Sequence, residues 1–410
     1  MQLLTDLNSR FAIPGALRFE SGAGNLTRAL ITTPDAEAHV YLHGAHVTHY
    51  QPTGQSPVLF MSRESHFAPD KPIRGGIPVI FPWFGPRTGD VAAPAHGFAR
   101  TMEWSVVETN RSESAVSLTL SLSASDATRR WFPHDFELRY TVTVGRTLEL
   151  SLEVRNRAAT EFAFEEALHT YLAVSDVRQV RIDGLDGRTF IDKTAALART
   201  RQSGPIRIER ETDRVYLDTP DEVTVDDASS PDAVTNDIEM RLLASMMLDR
   251  QSIDDILSIV DSTRFGDPRH RAVFEVLIDL HQMNRPIDAV ILRDELARRN
   301  LLDFVGGTLH LAEILNAVPS AERAVEYARS LRDPHSPRRI TVSKTGSRTT
   351  VVWNPWIDKA KAMPDFGDDE WPNMLCIETA NAADDAVTLA PGKSHVMIAR
   401  INAQNTSEGA

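Results

Sequence analysis

At 410 residues the chain is too long for a single core of ~150 residues, so two or three folded units are expected. Its 42% hydrophobic and 25% charged residues, with 21 Gly and 23 Pro, exclude a disordered, collagenous or membrane composition, and no stretch approaches the ~18 apolar residues of a membrane span. The net charge of −13 disfavours a whole-surface attraction to nucleic acid or anionic membrane and leaves room only for a local basic pocket.

The opening MQLLTDLNSRFAIPG carries an early acid and lacks the basic start and apolar run of a signal peptide. A single cysteine, Cys376, excludes an internal disulfide framework and a multi-cysteine zinc site and fits a reducing compartment, so a cytoplasmic protein is expected. From residue 26 to about 227 the dominant signal is alternation. Residues 117–121 read SLTLS, and 137–154 read ELRYTVTVGRTLELSLEV, split at Gly145-Arg146. Period-two patterns with turn-formers between them predict antiparallel strands with one buried face.

Between about 232 and 333 the period changes to that of helices. Ile238, Leu242, Leu243, Met246 and Met247 make one stripe, and Val273, Phe274, Leu277 and Ile278 make another after Pro268 at a first turn. Ser252 with Asp255 reads as a capping box, Asp288 as the cap of a helix over 290–296, and Ser320 as the cap of one containing Val325 and Ala328. Five or six short helices are expected. Every Trp and every Lys lies outside this segment, so its boundary is also compositional. After Pro334 alternation returns in RRITVSKTG, RTTVVWNPW, MLCIETA and HVMIARI. EVTVDD, ending at Asp227, and RRITV, starting at Arg338, should therefore be neighbouring strands whose turn is replaced by a helical unit, since exposed loop tips are where insertions succeed. The predicted domains are 1–229, 230–334 and 335–410, the first and last being two parts of one β domain.

Seven blocks in the β parts carry a likeness: IRGGIPVIFPWFGP (73–86), AHGFAR (95–100), WFPHDF (131–136), ALHTYLAV (167–174), ETDRVY (211–216), VVWNPWIDKA (351–360) and CIETA (376–380). In this order they resemble the hexose-6-phosphate mutarotases (glucose-6-phosphate 1-epimerases) of the aldose 1-epimerase superfamily. The resemblance implies a mainly β fold, an antiparallel β-supersandwich of the galactose-mutarotase type, interrupted here by an all-α helical bundle. It also implies interconversion of the α and β anomers of a hexose 6-phosphate such as glucose-6-phosphate, with no cofactor.

Ring opening of a hemiacetal needs a base for the anomeric hydroxyl and an acid for the ring oxygen. By resemblance these are Glu378 and His169, with His96 near the ring oxygen, Arg74 and Arg100 on the phosphate, and Asp213 on the substrate. A forked guanidinium suits a phosphate dianion better than an ammonium does. Alone, His169 would read as a satisfied strand histidine, Glu378 as a strand-edge carboxylate, Arg74 as a turn anchor and Arg100 as the partner of an acid. Trp83, Trp353 and Trp356 read as core or pocket wall and His134 as structural. Cys376, two residues from Glu378 on one strand face, reads as a small buried residue. His43, His46 and His49 would be split between strand faces, and no metal is expected.

The segment 232–333 resembles the N-terminal domain of DnaB-type replicative helicases through NDIEMRLLASMMLD, FGDPRHRAVFEVLIDL, PIDAVILRDEL, LLDFVGGTLHLAEILNAVPS and AVEYARSLRD. That likeness implies self-association or contact with a primase-like partner. The sequence has no G-x-x-x-x-G-K-[ST] loop and no basic stripe with interleaved aromatics, so neither a helicase motor nor direct nucleic-acid binding is expected. Two other readings stand beside catalysis: a sugar-phosphate-binding scaffold without turnover, and an interaction protein working through the helical segment.

Overall fold

The structure, a computed structural model, describes residues 2–87, 89–90, 92–227, 231–318, 321, 324–332 and 337–406. The chain forms two compact units, Met1–Ala228 with Arg338–Ala410, and Ser229–Pro337. Among the described residues no helix is long and apolar enough to cross a membrane.

The first unit is built of antiparallel sheets. One eight-stranded sheet runs in the order Arg181–Asp183, Glu222–Asp227, Arg338–Thr345, Ser394–Asn405, Leu148–Asn156, Phe136–Val144, Val116–Ser123, Ser105–Arg111. Its alternation is legible in Phe136–Val144, where Phe136, Leu138, Tyr140, Val142 and Val144 are buried and the residues between them are not. Each buried Leu, Val or Phe contributes roughly 1.5–3 kcal/mol of transfer free energy. The pattern continues in Leu148–Asn156, paired as Val144↔Leu148 across the turn at Gly145-Arg146. A four-stranded sheet made of Leu17–Ser21, Thr27–Thr32, Ala36–Tyr41 and His46–Pro52 follows an N-terminal helix, Gln2–Phe11. That helix and the strand Leu17–Ser21 lie ahead of residue 26, where the alternation of the sequence begins.

The interrupted hairpin is present. Glu222–Asp227 pairs with Arg338–Thr345, and its last rung is Asp227↔Arg338. Both residues are buried. Asp227 accepts hydrogen bonds from the backbone N–H of Ser175 at 3.0 Å and from its hydroxyl, while Arg338 donates to the carbonyls of Ser56, Pro57 and Ala173. The arginine Nε lies 3.9 Å from Asp227, so the strand ends are pinned by the β unit itself.

The second unit holds six α-helices among its described residues: Pro231–Leu248, Ser252–Leu257, Pro268–Gln282, Ala289–Arg298, Gly307–Leu315 and Ala324–Arg332. Leu242, Leu243, Met246, Val273, Phe274 and Leu277 are fully buried in its own core. Pro268 stands at a first turn and Asp288 accepts from Val290 and Ile291, as the spacing indicates, and Asp267, which the sequence reading did not single out, caps the helix of Pro268 by accepting from the Arg269 N–H. Ser252 is not a cap. Gln251 occupies that position without a side-chain bond, and the Ser252 hydroxyl donates to the Asp249 carbonyl instead. Ser320 lies outside the described residues. A polar chain runs from the core of this unit to its surface: Glu239, buried, accepts from His270 Nδ1 at 2.8 Å, His270 Nε2 lies 3.0 Å from His310 Nε2, and His310 Nδ1 lies 2.9 Å from the exposed Glu313.

Candidate active site

A second eight-stranded sheet carries the polar cluster, in the order Ala198–Arg201, Thr189–Asp192, Thr212–Tyr216, Thr349–Asn354, Met374–Asn381, Glu166–Leu168, Val79–Ile80, with Tyr171–Ala173 also on Met374–Asn381. Its register lines up side chains. Asp213 is opposite Trp353, Trp353 opposite Cys376, and Cys376 opposite Tyr171. Directly opposed residues share a face and period two adds Glu378, so Asp213, Trp353, Cys376, Glu378 and Tyr171 all stand on one side of the sheet.

His169 sits between the short strands Glu166–Leu168 and Tyr171–Ala173. Its Nε2 is 3.4 Å from Glu378 Oε1, and both side chains are buried. Tyr171 stacks on the imidazole at 4.7 Å, and Trp353 meets it edge-on at 6.0 Å. The pair is incomplete: His169 Nδ1 and Glu378 Oε2 are buried without a hydrogen-bond partner. Burial holds the Glu378 carboxyl well above the ordinary glutamate range, opposed by the charge of Lys193. Burial, followed by the charges of Arg74 and Arg100, holds His169 well below the ordinary histidine value. Both directions favour the uncharged forms, carboxyl and imidazole.

Arg74 enters from a glycine turn. Gly75 and Gly76 have φ of 106° and 60°, and a Cβ on Gly76 would lie 2.3 Å from the Val47 carbonyl oxygen, so only glycine brings the arginine this close to the sheet. His46 secures the turn by a 2.7 Å bond from its Nε2 to the Gly75 carbonyl; burial takes this histidine down to about 3, so it stays neutral. The Arg74 guanidinium donates to Tyr171 OH at 2.9 Å and to both oxygens of Asp365 at 3.0 and 3.1 Å. Arg100 donates to the Ala95 carbonyl at 2.7 Å, and burial and then the charge of Arg74 lower it to about 10. Arg74 and Arg100 each keep a buried Nε–H without an acceptor. Two desolvated guanidiniums that repel one another suit an anion.

His96, at φ 64°, accepts the Gly85 N–H on Nδ1 at 3.3 Å, which fixes the proton on Nε2 as a donor for a ligand. Its ring lies 5.6 Å from that of His169, and burial and Arg100 keep it neutral. Asp213 lies 3.4 Å from Lys193 Nζ and 3.8 Å from Lys359 Nζ, with burial raising its carboxyl above the ordinary range. The six residues named from sequence thus converge on one cluster.

Sequence reasoning did not pick out Tyr171, Lys193, Lys359 or Asp365. Tyr171 and Lys359 stood inside blocks of the likeness, whereas Asp365 reaches Arg74 across a long separation that leaves no local pattern. The other histidines are occupied elsewhere: His43 meets the Lys71 carbonyl at 2.8 Å, His49 meets Glu37 at 3.0 Å, and His134 packs on Phe132. Among the described residues no group of three or more His, Cys, Asp or Glu is placed to hold a metal ion.

The profile of the aldose 1-epimerase family matches residues 28–239 and 314–401, and that of the DnaB-like helicase N terminal domain matches 232–333. A Salmonella typhimurium protein named "Putative glucose-6-phosphate 1-epimerase" is 38% identical over 198 residues, 47% of this chain and 64% of that protein. The Escherichia coli protein of the same name is 38% identical over 199 residues, 48% of this chain. The chain thus matches 64% and 66% of the lengths of these relatives. The crystal structure of a mutarotase-titled Salmonella typhimurium protein superposes with a TM-score of 0.65 at 23% identity, covering 98% of this chain and 99% of that one, which shows the shared fold.

Proposed function

The chain belongs to the aldose 1-epimerase family, and on that premise we propose that it interconverts the α and β anomers of a hexose 6-phosphate, with glucose-6-phosphate as the expected substrate. The observation that carries this reading is the buried His169–Glu378 pair at 3.4 Å, with one lone nitrogen and one lone oxygen. A carboxyl group and an imidazole that have no other partners are what a hemiacetal needs. Glu378 takes the proton of the anomeric hydroxyl while His169 gives one to the ring oxygen, the ring opens, the aldehyde turns its other face, and the steps reverse.

The tendency of Glu378 to hold a proton is compatible with those roles. Carboxyl with neutral imidazole, and carboxylate with imidazolium, are two arrangements of one shared proton with the same net charge. A bound sugar donates its anomeric hydroxyl to the carboxylate and accepts at the ring oxygen from the imidazolium, which favours the second arrangement. Arg74 and Arg100 take the phosphate through their free Nε–H groups, His96 donates from Nε2 near the ring oxygen, and Asp213 receives ring hydroxyls.

The reaction is that of an isomerase, placed in the cytoplasm, and the helical unit offers a surface for self-association or a primase-like partner. The test is the equilibration of freshly dissolved α-glucose-6-phosphate, followed by NMR against a buffer blank. Glu378→Gln is expected to slow it by about 10²–10⁴-fold while sugar-phosphate binding persists. Unchanged turnover in that variant removes the base assignment.

A further inference from the structure

Lys193 and Lys359 are cations of the cluster that no part of the proposed reaction uses, and Lys193 lies the nearer to Asp213. It follows the strand Thr189–Asp192, and its backbone N–H donates to the Asp213 carbonyl at 2.9 Å, which extends the pairing Asp192↔Arg214 by one residue. Lys193 is therefore the cross-strand neighbour of Asp213 and heads the row that continues through Trp353, Cys376 and Tyr171. Its Nζ lies 5.1 Å from the centre of the Phe84 ring, and Phe84 meets His96 edge-on at 4.9 Å. The ammonium is held between two residues of the cluster, with its side chain 30% exposed.

The simple alternative is that Lys193 only neutralises Asp213. Two facts speak against it. The contact is 3.4 Å, longer than the 2.7–2.9 Å of a well-made charge-assisted bond. Asp213 also has a second ammonium in reach, since Lys359 lies 3.8 Å from its other oxygen while bonded to Glu211 at 3.0 Å. An ammonium has three N–H groups, so two remain for a ligand.

We propose, resting on the mutarotase reading, that Lys193 is a substrate-contacting residue: its ammonium, set between Asp213 and the Phe84 ring, donates to a ring hydroxyl of the bound sugar and balances the negative charge of the Glu378 carboxylate. The groups around Glu378 are His169 at 3.4 Å, the Tyr171 phenol, the Cys376 thiol, Asp213 and Lys193, with Lys359 beyond Asp213. Lys193 is the cation that opposes the effect of burial on Glu378, whereas the charge of Asp213 adds to it. Without it the carboxyl holds its proton to higher pH.

The experiment has two arms on the full chain. In the first, anomer exchange is followed against pH for wild type, Lys193→Met and Lys193→Arg. The methionine variant should lose about 10–100-fold in kcat/KM with its acid limb moved up by about one pH unit, and arginine should bring the limb back. In the second, calorimetry measures binding of a 1,5-anhydrohexitol 6-phosphate, which has the ring and phosphate but no anomeric hydroxyl. Lys193→Met should weaken it by about tenfold. An unchanged limb and KM in an active protein, or unchanged affinity in the second arm, overturns the role of Lys193. Absence of exchange in wild type overturns the mutarotase reading instead and leaves the binding arm to decide on Lys193.

Discussion

Each unit buries a histidine against a glutamate, and the two pairs differ in completeness. In the helical unit Glu239 accepts from the backbone N–H of Gly266 at 2.5 Å and of Asp267 at 3.4 Å and from His270, and every nitrogen of His270 and His310 has a neighbour. In the β unit His169 and Glu378 are 3.4 Å apart, and each keeps a buried atom with nothing bonded to it. A closed polar network holds structure together, whereas an open one carries a desolvation cost that a bound hydrogen-bonding partner relieves. On the proposed reading the same two residue types are structural in one unit and catalytic in the other. Neither residue identity nor burial separates the cases; the count of satisfied atoms does.

The contrast can be broken by exchanging the outcome of one substitution. Glu378→Gln should abolish most anomer exchange and leave the protein folded. Glu239→Gln should instead cost about 3 kcal/mol of stability in the helical unit, because it turns an acceptor of several donors into a donor facing them. Hydrogen exchange at the Gly266 and Asp267 amides should accelerate accordingly, with turnover unchanged. A Glu239→Gln protein with native exchange rates would mean that the closed network stabilises nothing.

Arg74→Ala sharpens the comparison from the side of the ligand. It should raise KM for the phosphate ester by about 10–100-fold and leave the free hexose little affected, because the guanidinium is the group that the phosphate completes. Equal loss for both sugars in the NMR assay would make Arg74 a strut for Tyr171 and Asp365. The smallest expected effect concerns stability. Because burial raises the Glu378 carboxyl, its contribution is intact below the ordinary value of 4.5 and is lost as pH rises through the raised one. Glu378→Gln lacks that loss. It should melt as wild type does near pH 4.5 and be more stable by about 1–2 kcal/mol at pH 8, read by calorimetric scans at both values. A gap that closes with rising pH would have the wrong sign.

Much of the fold was legible because strand and helix periods differ and each is long enough to count. Phe136–Val144 and Leu148–Asn156 alternate over nine residues each, and the helical stripes begin after Asp227. The reversed capping of Ser252 shows the limit: the S-x-x-D spacing was present, but the Asp249 carbonyl one turn earlier claimed the hydroxyl. The six site residues were named from the likeness, not from periodicity, which carries no sign of what a strand face will meet. Lys193 and Asp365 were silent because their partners arrive from distant strands and loops. Only the register Asp192↔Arg214, which no local pattern gives, sets Lys193 beside Asp213.

The rung between Asp227 and Arg338 has a meaning for the chain as a polymer. Closing a floppy loop of about one hundred residues costs about 3 kcal/mol more than closing a turn of about four, since the entropy grows with the logarithm of length. A helical unit that folds first and returns its two ends side by side removes that difference, and the two strands then pair as if a short turn joined them. With the helical unit melted the long loop returns, and its closure cost falls on the rung that Ser175 and the carbonyls of Ser56, Pro57 and Ala173 hold.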